Sequence, residues 1–115
     1  MRLHIKRIYE PAAEGDGKRI LVDRLWPRGV NKSDAHVDIW LKDIAPSTDL
    51  RRWFGHDPNK WDEFRQRYRD ELKNNAVAVH ALEEQIEKSM VTLLYGARDR
   101  EHNNAVVLMD FIRDR

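Results

Sequence analysis

The sequence runs to 115 residues, with 21 Lys and Arg against 20 Asp and Glu, a formal net charge of +1 and no cysteine. That length predicts one domain over residues 1–115, and the missing cysteine excludes a disulfide framework, cysteine-ligated zinc or iron–sulfur and a thiol nucleophile. The longest apolar run, Ala105 to Met109, is far too short for a bilayer span, and the charged start Met1-Arg2-Leu3-His4-Ile5-Lys6 lacks an apolar signal region, so a cytoplasmic domain is expected.

Leu3 to Tyr9 alternates apolar and polar residues and predicts a half-buried strand. Pro11, Gly15 and Gly17 mark a loop, and Ile20-Leu21-Val22, held between charges, predicts a short buried strand. It stops at Asp23-Arg24-Leu25-Trp26-Pro27-Arg28-Gly29, where Pro and Gly force a loop. Val37, Ile39 and Leu41 alternate as a third strand. Ser47 is placed to cap a helix running through Leu50 to Phe54.

Asp57 and Pro58 then read as an N-cap and first helical position. Trp61, Phe64, Tyr68 and Leu72 follow at spacings that make one helix face apolar. Asn74-Asn75 breaks that helix, and Val79, Leu82 and Ile86 line a second, ending near Lys88. Met90 to Tyr95 is β-rich and apolar on both faces, as a central parallel strand would be. Beyond Gly96 a polar loop leads to Asn103 and Asn104, cap candidates for a last helix that buries Ala105, Leu108 and Ile112. This order of elements predicts a small three-layer α/β domain, with a short, mainly parallel sheet flanked by helices.

Ligands of open α/β sheets sit outside the carboxyl ends of the strands. Two predicted strands end in unusually polar loops, Asp23 to Gly29 and Gly96 to Asn104, and as parallel neighbours they would wall one pocket. Its chemistry suits a small anion, a nucleotide or phosphorylated metabolite, because Arg forks and oriented N–H groups match phosphate or carboxylate oxygens. Arg24 and Arg28 would bind the anion, Asp23 would orient them, and Asn103 and Asn104 would add N–H donors. Lys42, Ser47 and Arg51, around the Ala45-Pro46 turn, would add contacts, and Trp26 would pack as a lid or offer a stacking face. Whether a reaction occurs stays open; if one does, His102 or Tyr95 would move the proton, His102 having an ordinary pKa near neutrality.

Plainer roles exist for several of these. Asp23 and Arg24 would pair to fix the loop, Ser47 would serve only as a cap, and His56 would pack near Trp61 ahead of its helix. The glycines at 15, 17, 29, 55 and 96 form no phosphate or dinucleotide loop. The histidines at 4, 36, 56, 80 and 102 lack metal-site spacing. Neither a cofactor nor a metal is expected. Residues 1–32 carry eight bases against four acids, so the competing reading is a nucleic-acid or protein-binding accessory module. An exposed face of Trp40, Trp53 or Trp61 would serve a homo-oligomer, and no membrane partner is expected.

The heptad Asp23 to Gly29, with Ala45-Pro46-Ser47, Leu50-Arg51, His56-Asp57-Pro58 and Thr92 to Tyr95 closing on His102-Asn103-Asn104-Ala105, resembles the YeaO-like branch of domain-of-unknown-function family 488. The resemblance covers nearly the whole chain. It implies a small bacterial or archaeal cytoplasmic α/β domain and delivers no activity. It also implies that Tyr95 stands where longer relatives carry a cysteine, that Glu101 replaces a second one before His102, and that Asn103 replaces an arginine. Thiol or cysteine–metal chemistry is therefore closed to this chain.

Overall fold

Parallel strands that are buried on both faces need helices on both sides, and the computed structural model, which describes residues 2–115, meets that need unequally. Four strands, β1 (Leu3–Arg7), β2 (Lys18–Leu21), β3 (Ile39–Trp40) and β4 (Val91–Tyr95), form one all-parallel sheet in the order β1-β4-β2-β3. The helices are α1 (Lys32–Ala35), α2 (Thr48–Phe54), α3 (Trp61–Lys73), α4 (Ala76–Lys88) and α5 (Asn104–Arg113). The last strand in the chain is inserted between the first two, so β4 is central and all five of its residues are buried.

Side-chain parity divides the core. Leu3, Ile20, Val22, Val91, Leu93 and Tyr95 face a large cluster with α2 to α5. Leu21, Leu94 and Ile8 face a small one, closed by Ala35 of α1 with Trp26, Val30, Val37 and Trp40. The predicted apolar face of α3 holds: Phe64, Tyr68 and Leu72 are buried, with Phe64 stacked on Phe54 at 4.1 Å between ring centroids. Tyr68 donates its hydroxyl to the Ile44 carbonyl at 2.7 Å, which satisfies the one polar atom this face buries.

The caps follow from residue chemistry. Ser47 Oγ accepts from Leu50 N, Asp57 Oδ1 from Asn59 N, and Asn103 Oδ1 from Val106 N. Asp57 and Pro58 first open a short 3-10 turn, Pro58–Lys60, and the α-helix proper begins at Trp61. Other details depart from expectation. The first strand ends at Arg7, after which the chain turns, so Ile8 is buried while Tyr9 lies 45% exposed. The third strand is only Ile39–Trp40, and the four-residue α1, capped by Asn31, was not foreseen. Among the described residues no helix is long and apolar enough to cross a membrane.

Candidate functional site

The chain leaves β2 toward the thin layer that holds α1, and leaves its neighbour β4 toward the thick layer that holds α5. Connections that part to opposite faces open a crevice between adjacent strand ends. Here it is a cavity of about 710 Å³ with walls from both polar loops. Asp23 ties them together. Its Oδ2 accepts from Gly96 N at 2.9 Å, and its Oδ1 accepts from Asn104 Nδ2 at 3.1 Å, the same amide that donates to the Val22 carbonyl. Burial raises the Asp23 pKa above the usual carboxylate value, and the Asn104 and Gly96 hydrogen bonds, with His56 and Arg51, offset part of that rise.

Gly96 is needed for this closure. A Cβ there would lie 3.1 Å from Asp23 Oδ2 and 3.2 Å from the Pro27 ring. Gly96→Ala is expected to push the loops apart by a few tenths of an ångström and to cost about 1–2 kcal/mol. Its amide should also exchange faster with solvent, and a variant with unaltered melting and protection would show that the clasp is not tight.

The other walls come from elsewhere in the chain. Arg24 donates from Nε to Pro46 O and from Nη2 to Ala45 O, which fastens the first loop to the turn ahead of α2. Those bonds use two of its five N–H groups. Trp26 donates to Val30 O and sits edge-on to Trp40 at 5.5 Å, so it is a packed lid. Arg28 lies at the exposed mouth, its carbonyl held by the Tyr9 hydroxyl at 2.7 Å. Arg51 of α2 and His56, just beyond that helix, complete one side; Phe54 and Phe64 add an apolar wall. Asn103 lines the opposite side with its side chain engaged in capping α5 and donating to Asp99 O.

Asp23, Arg24, Trp26, Arg28, Arg51, Asn103 and Asn104 thus share one cavity, and four other predicted residues lie outside its wall. His102 turns from it, its Nδ1 2.9 Å from Asp99 Oδ2 and its ring edge-on to Trp61. Tyr95, having the parity of Val91 and Leu93, is buried in the large core. Lys42 lies over the Trp40 ring, and Ser47, besides capping α2, donates to Glu71 Oε2 at 2.6 Å. Asp23 also contacts neither guanidinium: its hydrogen bonds go to Gly96 and Asn104, so it aligns the loops and not the arginines.

Arg98 and Asp99 lie in the wall as part of the second polar loop, whereas sequence reading missed His56 as a wall residue. His56 adopts a left-handed conformation, φ +57°, directly after the left-handed Gly55, and this double turn brings it back over the strand ends. A glycine-histidine pair after a helix is the one local signal for that. The Asp99 pKa is lowered, chiefly by the Glu101 and His102 backbone N–H groups it accepts from.

Four of the eight bases in residues 1–32 are engaged within the protein. Lys6 and Arg19 are paired with Asp16, Arg7 Nε donates to Ala97 O, and Arg24 is engaged as above. Among the described residues no three His, Asp or Glu side chains converge as a metal ion would require.

Comparison with known proteins gives one family. The model described as "Inactive DUF488-N3 subclade" matches residues 2–115. The chain is 43% identical over 113 residues to the uncharacterised protein YeaO of Escherichia coli strain K12, which covers 98% of each chain. It is 41% identical over 114 residues to the uncharacterised protein Rv3073c of Mycobacterium tuberculosis strain H37Rv, covering 99% of this chain and 96% of that one. No solved structure matches it.

Proposed function

The chain belongs to the inactive DUF488-N3 subclade, and on that footing we propose that it binds a small anionic molecule, a nucleotide or phosphorylated metabolite, in the crevice at the strand ends, without transforming it. One observation carries the reading: four arginines line the cavity against two aspartates, and both aspartates are already engaged by donors of the protein. The side chains of Arg28, Arg51 and Arg98 reach no acceptor among the described residues and stand available to a ligand. Arginine suits that task because its planar fork meets two oxygens of a phosphate or carboxylate at once.

The residues expected to move a proton support binding over catalysis. Tyr95 is core, and His102, paired with Asp99, is not among the residues that line the cavity. The subclade's description as inactive agrees.

Titration calorimetry with inorganic phosphate and with ribose 5-phosphate tests the proposal. Arg28→Gln and Arg51→Gln should each weaken the tighter of the two by roughly tenfold, and added salt should weaken it further, as the cations are exposed to solvent. Affinities untouched by both substitutions would remove the arginines from the site.

A further inference from the structure

The charges of the cavity are sorted by depth, and this sorting constrains the ligand more narrowly than net charge does. At the bottom, against the strand ends, lies the Asp23 carboxylate; Arg28 and Arg51 lie exposed at the mouth. A carboxylate offers about four lone-pair positions. Asp23 spends two, one on Gly96 N and one on Asn104 Nδ2, which leaves one acceptor position on each oxygen. Asp23 itself lines the cavity, so those positions belong to its floor. A phosphate group seated there would meet a like charge, and the neighbouring Asn104 amide is already shared between Val22 O and Asp23 Oδ1.

The space between floor and mouth is walled by Phe54, Phe64 and Pro27. Such walls suit the face of a ring, and 710 Å³ is the size of a pocket for a whole metabolite. We propose that the ligand is two-ended, a phosphorylated sugar or nucleoside whose phosphate meets the outer arginines while its hydroxyl or amino donors reach the two free acceptor positions of Asp23. This rests on the anion-binding reading and adds a polarity to it. Asp23 thus acts twice, as the clasp of the two loops and as the acceptor that distinguishes a phosphorylated metabolite from a bare anion.

The test compares inorganic phosphate with ribose 5-phosphate, on the wild type and on Asp23→Asn. The wild type should bind ribose 5-phosphate at least tenfold more tightly than phosphate. Asp23→Asn should abolish that advantage: it loosens the clasp for both probes alike, because one oxygen of the pair becomes a donor, but only the sugar phosphate also loses its acceptor, so the two affinities should converge. Should Asp23→Asn fail to fold, the Asp23 carboxyl carbon resonance of the wild type decides: it should move on adding ribose 5-phosphate and stay still with phosphate. Equal affinities for both probes on the wild type, an advantage of ribose 5-phosphate that Asp23→Asn leaves undiminished, or a resonance indifferent to the sugar would overturn the two-ended ligand and leave anion binding standing. Binding of neither probe would take both readings down.

Discussion

Asp16→Ala is expected to lower the unfolding free energy by about 3–5 kcal/mol, the usual loss when one partner of a buried ion pair is removed. The Asp16 carboxylate is 11% exposed and its partner Arg19 only 5%. Asp16 accepts from Arg19 Nη1, from Lys6 Nζ at 3.1 Å and from Ala13 N at 3.0 Å. Arg19 donates its Nε and Nη2 to the Ala35 and His36 carbonyls, so alanine at 16 leaves this buried guanidinium without its counter-charge. Against a typical total of about 5–15 kcal/mol the loss is severe. Exchanging both partners, Asp16→Ala with Arg19→Met, should recover much of it, because no unpaired charge is then left inside.

The same carboxylate predicts a pH signature. Burial pushes its pKa up, but the bonds from Ala13, Lys6 and Arg19 outweigh burial and hold it below 3.8. A carboxylate depressed in the folded state stabilises fully above its unfolded pKa and loses that contribution as pH falls through its folded value. Urea titrations from pH 7 down to about pH 2 should therefore show a constant gap between wild type and Asp16→Ala near neutrality, narrowing below about pH 4. A cost under about 1 kcal/mol at pH 7, or a gap that never narrows, would count against the pair.

Neither this pair nor the inward fate of Tyr95 was legible beforehand, and the reasons are physical. Asp16 and Arg19 look like ordinary loop charges three residues apart; only the unusual backbone at Gly17, φ +65°, folds them onto each other beneath the sheet. Tyr95 shares parity with Val91 and Leu93, which is visible in the sequence, but which face of a doubly apolar strand meets the thicker layer depends on where α2 to α5 pack. His102 and Ser47 were claimed by partners close by or across the fold, Asp99 and Glu71, before any ligand arrives. What was legible was the meeting of the two polar loops. Asp23 follows a strand buried by composition, Gly96 follows the central one, and parallel neighbours place their ends side by side.

Gly17→Ala should be nearly as damaging as loss of Asp16, by roughly 3 kcal/mol or more, through steric overlap combined with backbone strain. A Cβ at this position would stand 2.4 Å from the Met90 carbonyl oxygen and 2.9 Å from Met90 C and Cβ. That oxygen accepts from Lys18 N at 2.9 Å, beside the first residue pair of the β2–β4 ladder, Lys18 with Val91. Nothing flexible can yield, so relief requires the two central strands to separate at their entry. Gly15, two residues earlier, has no atom within 4 Å of an added Cβ, and Gly15→Ala should fall within about 0.5 kcal/mol of wild type. Parallel denaturant titrations settle the contrast, and two variants of equal stability would contradict it. The consequence reaches the crevice as well. Asp23 and Gly96 stand at the far ends of the strands whose pairing Gly17 permits, so any Gly17→Ala protein that still folds should bind phosphate more weakly than wild type, although residue 17 lines no part of that cavity.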